Sequence, residues 1–242
     1  MISYSRLGDN WLGNQLFQMA ATIALALRNN DKYVFPAWKY EKYFTLKDCF
    51  SSELKIDLSE HDTYRDPNFY FFEPIPYRKN LNLWGYFQSE KYFKDFEDTI
   101  KILLMPKNVD EIKYNHTAIH VRRGDYLNYP KEYNILDMSY YSKAMNILNS
   151  KFYTIFSNDI EWCKSNFVGN NFEFSEGKTD IEDLTLMISY EHHIIANSAY
   201  SWWGAYLNKN PFKKIIAPKQ WWSIDNLKSN SDDLIPKEWM QI

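Results

Sequence analysis

Cysteine, glycine and arginine are scarce in this 242-residue chain, and so are long apolar runs. The two cysteines, Cys49 and Cys163, lie far apart and form neither a metal-binding spacing nor a disulfide framework, which favours a reducing compartment. The longest apolar run, Met19 to Leu27, is about half of what a membrane span requires. No basic segment followed by an apolar stretch opens the chain, so we expect no signal peptide and a cytoplasmic protein.

Charge and aromatic content narrow the function classes further. The net charge is -3 without a long basic run, so we expect no nucleic-acid partner. Hydrophobic residues make up 45% of the chain, enough for one large domain or two small ones. Aromatic residues reach 18%, which exceeds the needs of a core and suits a site that stacks a base or a sugar ring.

Short apolar strands alternate with helices of about ten residues after residue 115. This order predicts βαβ units and a parallel sheet. The chain begins in the same way, with a strand at Ile2–Arg6, a buried helix at Asn14–Arg28 and a strand at Tyr33–Phe35. We therefore predict an α/β protein of two domains, 1–112 and 113–242, with a cleft between them. The predicted elements of the second domain are strands 117–121, 153–157, 193–196 and 214–217 and helices 139–148, 160–167, 181–190 and 201–207.

The tyrosine- and phenylalanine-rich stretch from Lys39 to Asn80 shows neither the hydrophobic period of a helix nor the alternation of a strand. We predict loops and short helices there, covering one face of the first domain. Such loops would shape the site for a second substrate.

Two of only six arginines, against 22 lysines, are adjacent in His120-Val121-Arg122-Arg123-Gly124-Asp125, directly after a predicted strand. Arginine presents a rigid, always-charged fork to phosphate oxygens, and glycine lets the backbone approach a ligand. Ligands of open α/β sheets bind at the carboxyl ends of strands. The segment indicates a phosphate site, with a structural Arg–Asp pair holding a loop as the alternative. Its Arg-Gly-Asp tripeptide is too short to indicate cell adhesion.

Three further loops have both a binding and a structural interpretation. Gly8–Gly13 has the glycine spacing of a P-loop but lacks the lysine and hydroxyl residue that follow one, so we reject an ATPase or kinase. Asn197–Ala205 offers hydroxyls at a helix start, either for a diphosphate or for ordinary capping. Asp159 and Glu161 would bind a nucleoside or cap a helix, and His192-His193 is more typical of structural histidines. No Asp-x-Asp occurs, so we predict no metal.

Taken together, these segments resemble the α-1,2-fucosyltransferases of glycosyltransferase family eleven, of bacterial or viral type. The resemblance spans about 200 residues in four segments, of which the arginine segment is the most specific. Trp11 departs from the family pattern, which usually has glycine or arginine there, so the acceptor side is expected to differ. The four segments are Leu12–Gln18, Gly85–Phe93, His120–Tyr126 and His192–Leu207.

The resemblance implies a two-lobed GT-B-like fold with a Rossmann-like C-terminal donor lobe. It implies inverting, metal-independent transfer of L-fucose from GDP-β-L-fucose to the 2-hydroxyl of a galactose-type glycan acceptor. GDP-fucose would be a co-substrate, so no cofactor is expected. The partners would be GDP-fucose and the glycan, with peripheral membrane contact only through a lipid-linked acceptor.

The residues fit that chemistry. A preformed guanidinium at Arg122 would stabilise the charge that develops on the departing β-phosphate. Arg123 would share this role or pair with Asp125, and Asn14 would orient the fucose or the acceptor hydroxyl, so that Arg122, Asp125 and Asn14 form the predicted catalytic set. The donor site is predicted to comprise His120, Arg122, Arg123, Asp159, Asn197, Ser198, Ser201 and Trp202, and the acceptor site Asn14, Gln15 and Glu90.

The general base stays open among Asp125, Glu90 and His120, or solvent or a phosphate oxygen. Asp125 would be a poor base if bonded to an arginine, because the positive charge favours its ionised form. Two alternatives to α-1,2 transfer also stay open: fucosylation with α-1,6 linkage or of protein hydroxyls, and a catalytically inactive carbohydrate-binding relative. The absence of a Gly-x-Ser-x-Gly motif argues against a hydrolase.

Overall fold

A computed structural model describes residues 1–51, 62–67, 71–225 and 231–242. The chain divides into two compact units, and each is described by itself. The first comprises Met1–Lys107 with Asp232–Leu234, and the second Asn108–Ser231 with Ile235–Ile242.

The first unit is a parallel sheet with one long helix. Its strands lie in the order β3-β2-β1-β5-β4, and every described pairing between them is parallel. The short β1 is central, with Ile2 beside Tyr33 on one side and Leu81 on the other. The elements are β1 (Ile2–Ser3), α1 (Leu12–Arg28), β2 (Tyr33–Pro36), β3 (Phe50–Ser51), β4 (Asp62–Arg65), β5 (Leu81–Trp84) and α2 (Glu97–Leu103).

Helix α1 is buried over almost its whole length, as its apolar composition predicts. It begins at Leu12, two residues earlier than predicted, after Trp11, whose side chain makes no capping hydrogen bond. Two of its buried polar side chains donate hydrogen bonds: Thr22 Oγ1 to Gln18 O within the helix, and Gln18 Nε2 to Gly85 O. The second bond joins the helix to the turn after β5.

The second unit is a six-stranded sheet with helices between its strands. The strand order is β11-β10-β9-β6-β7-β8, and all described pairings are parallel, which confirms the predicted sheet type. The elements are β6 (Lys113–Val121), α3 (Met138–Leu148), β7 (Phe152–Ser157), α4 (Ile160–Asn166), β8 (Phe172–Phe174), α5 (Asp180–Ile188), β9 (Tyr190–Ile194), α6 (Ala199–Leu207), β10 (Ile215–Ala217) and β11 (Met240–Gln241).

The core of the second unit lies between the central strands and helix α3. Ile119, Ile155 and Ile194 come from three neighbouring strands and are fully buried there. Tyr140 of α3 donates its hydroxyl hydrogen bond to Ile195 O at 2.7 Å, which ties the helix to the end of β9. The result is a rigid edge of the sheet from which the loops after β6, β7 and β9 leave.

Three local predictions were wrong. Two short strands, β3 and β4, lie in the stretch 39–80, where loops and short helices were expected; residues 52–61 and 68–70 of that stretch lie outside the described residues. The predicted helix 181–190 ends at Ile188, and β9 begins at Tyr190 rather than at His193. In each case, the strand is too short for its residues to show a clear two-residue period.

Candidate active site

The loops that follow β9, β6 and β7 adjoin because these strands are neighbours in the parallel sheet. They contain Asn197 and Ser198, Arg122 to Asp125, and Asn158 with Asp159, respectively. Sequence reasoning predicted donor-binding residues on all three loops. The carboxyl edge of the second unit's sheet is therefore the candidate site.

Arg122 is the residue of this edge best placed to meet an anion. Its Nη2 donates to Asp125 Oδ2 at 2.8 Å, its guanidinium lies over the Tyr126 ring at 5.1 Å, and the side chain is 20% exposed. Its Nε is buried without a hydrogen-bond partner among the described residues. The side chain as a whole is partly exposed, so its guanidinium can reach a ligand at this edge.

Arg123 has a different partner from the one predicted. Its Nε donates to Asp159 Oδ2 at 3.3 Å, and its guanidinium lies over the Trp162 ring at 4.1 Å. It is Arg122, not Arg123, that pairs with Asp125. Asp159 also accepts a hydrogen bond from Trp162 N at 3.4 Å as the N-cap of α4. It therefore has the helix-capping role that the sequence allowed as an alternative to binding a nucleoside.

His120 is buried on β6, with its Nδ1 2.9 Å from Ser201 Oγ. Burial, with a smaller contribution from the Arg122 guanidinium, lowers the pKa of His120 to about 3. The imidazole is therefore neutral at physiological pH. Ser201 is itself fully buried and joins the histidine to the first turn of α6.

The start of α6 presents a capped helix end to the same edge. Ser198 Oγ accepts from Tyr200 N at 3.4 Å, so it is the capping residue that the sequence left open between Ser198 and Ser201. The Asn197 amide donates to the carbonyls of Asn134 and Trp221 at 2.9 and 2.8 Å. These two side chains fix the loop after β9.

Trp202 does not line a pocket. Its ring is fully buried and stacks on Tyr206 at 4.5 Å, with Trp239 at 5.3 Å. Helix α6 is apolar on nearly every side, so this tryptophan packs into the core. This burial corrects the prediction that Trp202 is one of the donor-binding residues.

The predicted acceptor residues lie in the first unit. Asn14, in the first turn of α1, is partly buried, and its Oδ1 accepts from Gln88 Nε2 at 2.7 Å. Both ends of the buried Gln15 amide are used internally: Oε1 accepts from Trp38 Nε1 and Nε2 donates to Asn10 O. Gln15 is thus a structural residue, which corrects its assignment to the acceptor. Glu90 accepts from Lys94 Nζ at 2.9 Å.

Trp11, the departure from the family pattern, is 75% exposed directly before α1. Its indole is exposed at the start of the helix that contains Asn14 and is available to a ligand.

Both cysteines are free and buried. Within the described ranges, no three His, Cys, Asp or Glu side chains come together as metal ligands, and no helix is long and apolar enough to cross a membrane.

Sequence reasoning missed Asn158, Gln88 and Trp162. Asn158 precedes Asp159 at a strand end, and Gln88 stands in one of the four family-like segments, so a signal was present for both. Trp162 lies under Arg123, and a helical tryptophan carries no sign of that contact in the sequence.

The chain is similar to several known glycosyltransferases. A family model described as Glycosyl transferase family 11 matches residues 9–242. An alpha-1,2-colitosyltransferase of Escherichia coli is 31% identical over 96% of each chain. Galactoside alpha-(1,2)-fucosyltransferase 1 of Rattus norvegicus is 26% identical over 81% of this chain, which spans 61% of the rat protein. Among solved structures, NodZ alpha-1,6-fucosyltransferase soaked with GDP-fucose aligns with a TM-score of 0.51 and 11% identity, covering 85% and 91% of the two chains.

Two parallel-sheet units and this structural neighbour show a GT-B-like fold, as the sequence predicted. The chain belongs to glycosyltransferase family 11, since the family model covers nearly all of it.

Proposed function

We propose that this chain transfers L-fucose from GDP-β-L-fucose to the 2-hydroxyl of a galactose-type acceptor, with inversion and without a metal ion. The single observation that carries the proposal is Arg122: a partly exposed guanidinium at the carboxyl end of β6. The α-1,2 linkage rests on the relatives named above, an E. coli colitosyltransferase and a rat fucosyltransferase.

The chemistry assigns each group a part. Departure of GDP builds negative charge on the β-phosphate, and a guanidinium already in place stabilises that charge more in the transition state than in the ground state. The capped start of α6 adds backbone N–H donors and the positive end of a helix dipole at the same edge. Arg122 is the catalytic residue of this proposal, and the loop at Ser198 supports the diphosphate.

The contacts of the candidate residues reduce the number of possible general bases. His120 is a weak base because burial holds its pKa at about 3, and its Nδ1 is already close to Ser201. Asp125 is held by two donors, Arg122 and Asn158. Glu90 is likewise paired with a cation, Lys94, at 2.9 Å. We therefore propose a phosphate oxygen or solvent for the proton of the acceptor hydroxyl, and Asn14 for orienting that hydroxyl or the fucose.

A second candidate is transfer of colitose, favoured by the E. coli colitosyltransferase that matches nearly the whole chain. Colitose is L-fucose without its 3-hydroxyl. A site that hydrogen-bonds this hydroxyl rejects the deoxy sugar by about 10⁴-fold, whereas an apolar site discriminates far less. The ratio of kcat/KM for GDP-fucose and GDP-colitose decides between the two donors. NodZ is named for α-1,6 transfer, so NMR of the product has to establish the linkage.

The first experiment measures GDP release from GDP-fucose with and without a β-galactoside, in the presence of EDTA. Release that depends on the acceptor supports the proposal, and activity lost to EDTA and restored by magnesium would contradict the metal-free mechanism. Glycan binding with no turnover of either donor would indicate an inactive relative.

Arg122→Ala should lower kcat by about 10²–10³-fold, the cost of losing one oxyanion donor. The matched control is Arg78→Ala, which removes an exposed arginine paired with Asp62 in the first unit and should leave kcat unchanged. An Arg122→Ala enzyme that keeps more than about a tenth of wild-type activity would remove Arg122 from this role.

A further inference from the structure

Asn158 is the first residue after β7, and its side chain reaches the arginine loop of the neighbouring strand. Its Oδ1 accepts from Arg123 N at 3.0 Å, and its Nδ2 donates to Asp125 Oδ1 at 3.1 Å. One amide group therefore binds the loop on both sides of Gly124. Both bonds run between residues at least 33 positions apart, so they join two strand ends and do not merely close a local turn.

Gly124 leaves the space that Asn158 occupies. A Cβ at residue 124 would lie 2.9 Å from Asn158 Cγ and closer still to the amide nitrogen. Its φ of +25° is also a value that residues with a side chain rarely adopt. The glycine of the Arg-Gly-Asp segment is thus matched to Asn158, and a side chain at 124 would displace the amide.

Asp125 passes this constraint on to Arg122. One carboxylate oxygen accepts from Asn158, and the other accepts from Arg122 Nη2 at 2.8 Å. A carboxylate held through one oxygen can turn about its bonds, whereas one held through both is fixed. The Arg122 guanidinium is therefore oriented by a series of hydrogen bonds that begins at the end of β7 and passes through Asp125.

We propose that Asn158 is a positioning residue for Arg122: through Asp125 and the matched Gly124, it holds the guanidinium in the orientation that binds the donor diphosphate. This inference rests on the proposed function, because it assigns Arg122 to the donor. Asn158 itself need not touch the substrate.

The test is a calorimetric titration with GDP together with steady-state kinetics on GDP-fucose. Asn158→Ala should weaken GDP binding and lower kcat, each by about 10-fold or more, as a misplaced catalytic group does. The matched control is Asn166→Ala, which removes an asparagine of the same unit whose amide donates only to Trp162 O within its own helix, and it should bind GDP as the wild type does. Circular dichroism checks that each variant is folded.

Asn158→Asp separates positioning from simple structural damage. It keeps an acceptor for Arg123 N but faces Asp125 with a second carboxyl in place of a donor. Uptake of a proton by this carboxyl pair restores the donated hydrogen bond, so activity relative to wild type should rise as the pH falls. The neighbouring charges of Arg122, Arg123 and Asp159 are present in both proteins, and the same ratio for Asn158→Ala should stay flat.

Each outcome is decisive. Wild-type GDP affinity and kcat in Asn158→Ala, with Arg122→Ala impaired, would overturn this inference and leave the proposed function intact. A wild-type chain that does not bind GDP would overturn the proposed function and the inference with it. Should Asn158→Ala fail to fold, the nearly isosteric Asn158→Asp carries the test alone, and a flat activity ratio across pH would refute the inference.

Discussion

Two buried histidines of the second unit have pKa values below that of a solvent-exposed histidine. His120 lies on β6 and His193 on β9, where the register places His193 between Ala118 and Ile215. Burial lowers the pKa of His193 well below its usual value, and the nearby Lys213 ammonium lowers it further. Burial likewise brings the pKa of His120 to about 3. Both side chains are therefore neutral in the folded protein.

This neutrality predicts how stability changes with pH. An unfolded histidine takes up a proton near pH 6.5, whereas the folded one does so only at a lower pH, so the proton favours unfolding between these values. The free energy of unfolding should be constant for this group above about pH 6.5 and should fall as the pH drops below it, by about 1.4 kcal/mol per pH unit for each such histidine. The free energy of unfolding of the wild type should therefore differ between about pH 7.5 and about pH 5.5. In His193→Leu, this difference should be smaller by about 1.4 kcal/mol.

Urea unfolding of wild type and His193→Leu at the two pH values measures that difference. The control is His116→Leu, which removes a partly exposed histidine of the neighbouring strand β6. An unchanged pH dependence in His193→Leu would show that another group is responsible.

Among elements, α6 and α5 pack closely at one glycine. A Cβ at Gly204 would lie 2.9 Å from Met187 Cγ and closer to its sulfur. The glycine of the Ser-Trp-Trp-Gly segment is thus explained by packing between two helices. A branched side chain there has to displace a buried methionine.

Gly204→Val should therefore destabilise the protein by about 1–3 kcal/mol, the usual cost of overpacking, although valine is the better helix former. Met187→Ala in the same chain should recover part of the loss, since it clears the space. Urea unfolding measures both variants, and Ala199→Val in the less buried first turn of α6 is the control. Strictly additive effects of the two substitutions would contradict direct packing.

The elements also show how far the sequence could predict this structure. Helix α1 and strands β6, β7 and β10 were located to within a few residues, because their apolar patterns are long or bounded by turns. Strands β5 and β8 were not predicted, since each is a short run in which a polar residue interrupts the apolar ones, whereas β10 is short but apolar throughout.

The sequence indicates which residues of the candidate site could bind an anion, but not which side chains are bonded to one another. The arginine loop was identified from residue chemistry alone. Its partners depend on the strand order β9-β6-β7, which brings Asn158 and Asp159 beside it, and no local pattern contains that order. Trp202 and Gln15 were assigned to ligands because a motif does not reveal which of its side chains face the core.

On the scale of the whole molecule, the chain returns to its first unit near its end. Residues 232–234 belong with Met1–Lys107, although the residues on both sides belong to the second unit. Asp233 is the anchor: Oδ2 accepts from Phe72 N at 2.8 Å, Oδ1 pairs with Lys91, and its carbonyl accepts from Ser89 Oγ at 2.5 Å. The first unit is therefore complete only when the last tenth of the chain is in place.

Asp233→Ala should loosen the first unit selectively. The substitution leaves Phe72 N and Lys91 without the carboxylate, and a lost hydrogen bond to a charged group costs about 1–2 kcal/mol at a partly exposed site. Hydrogen exchange should accelerate at Phe72 and around Ser89, while the amides of β6 and β7 keep their protection. Asp95→Ala, which breaks the more exposed ion pair with Arg28 in the same unit, is the control and should change protection little. Equal acceleration in both units would instead mean that the segment stabilises the chain as a single cooperative structure.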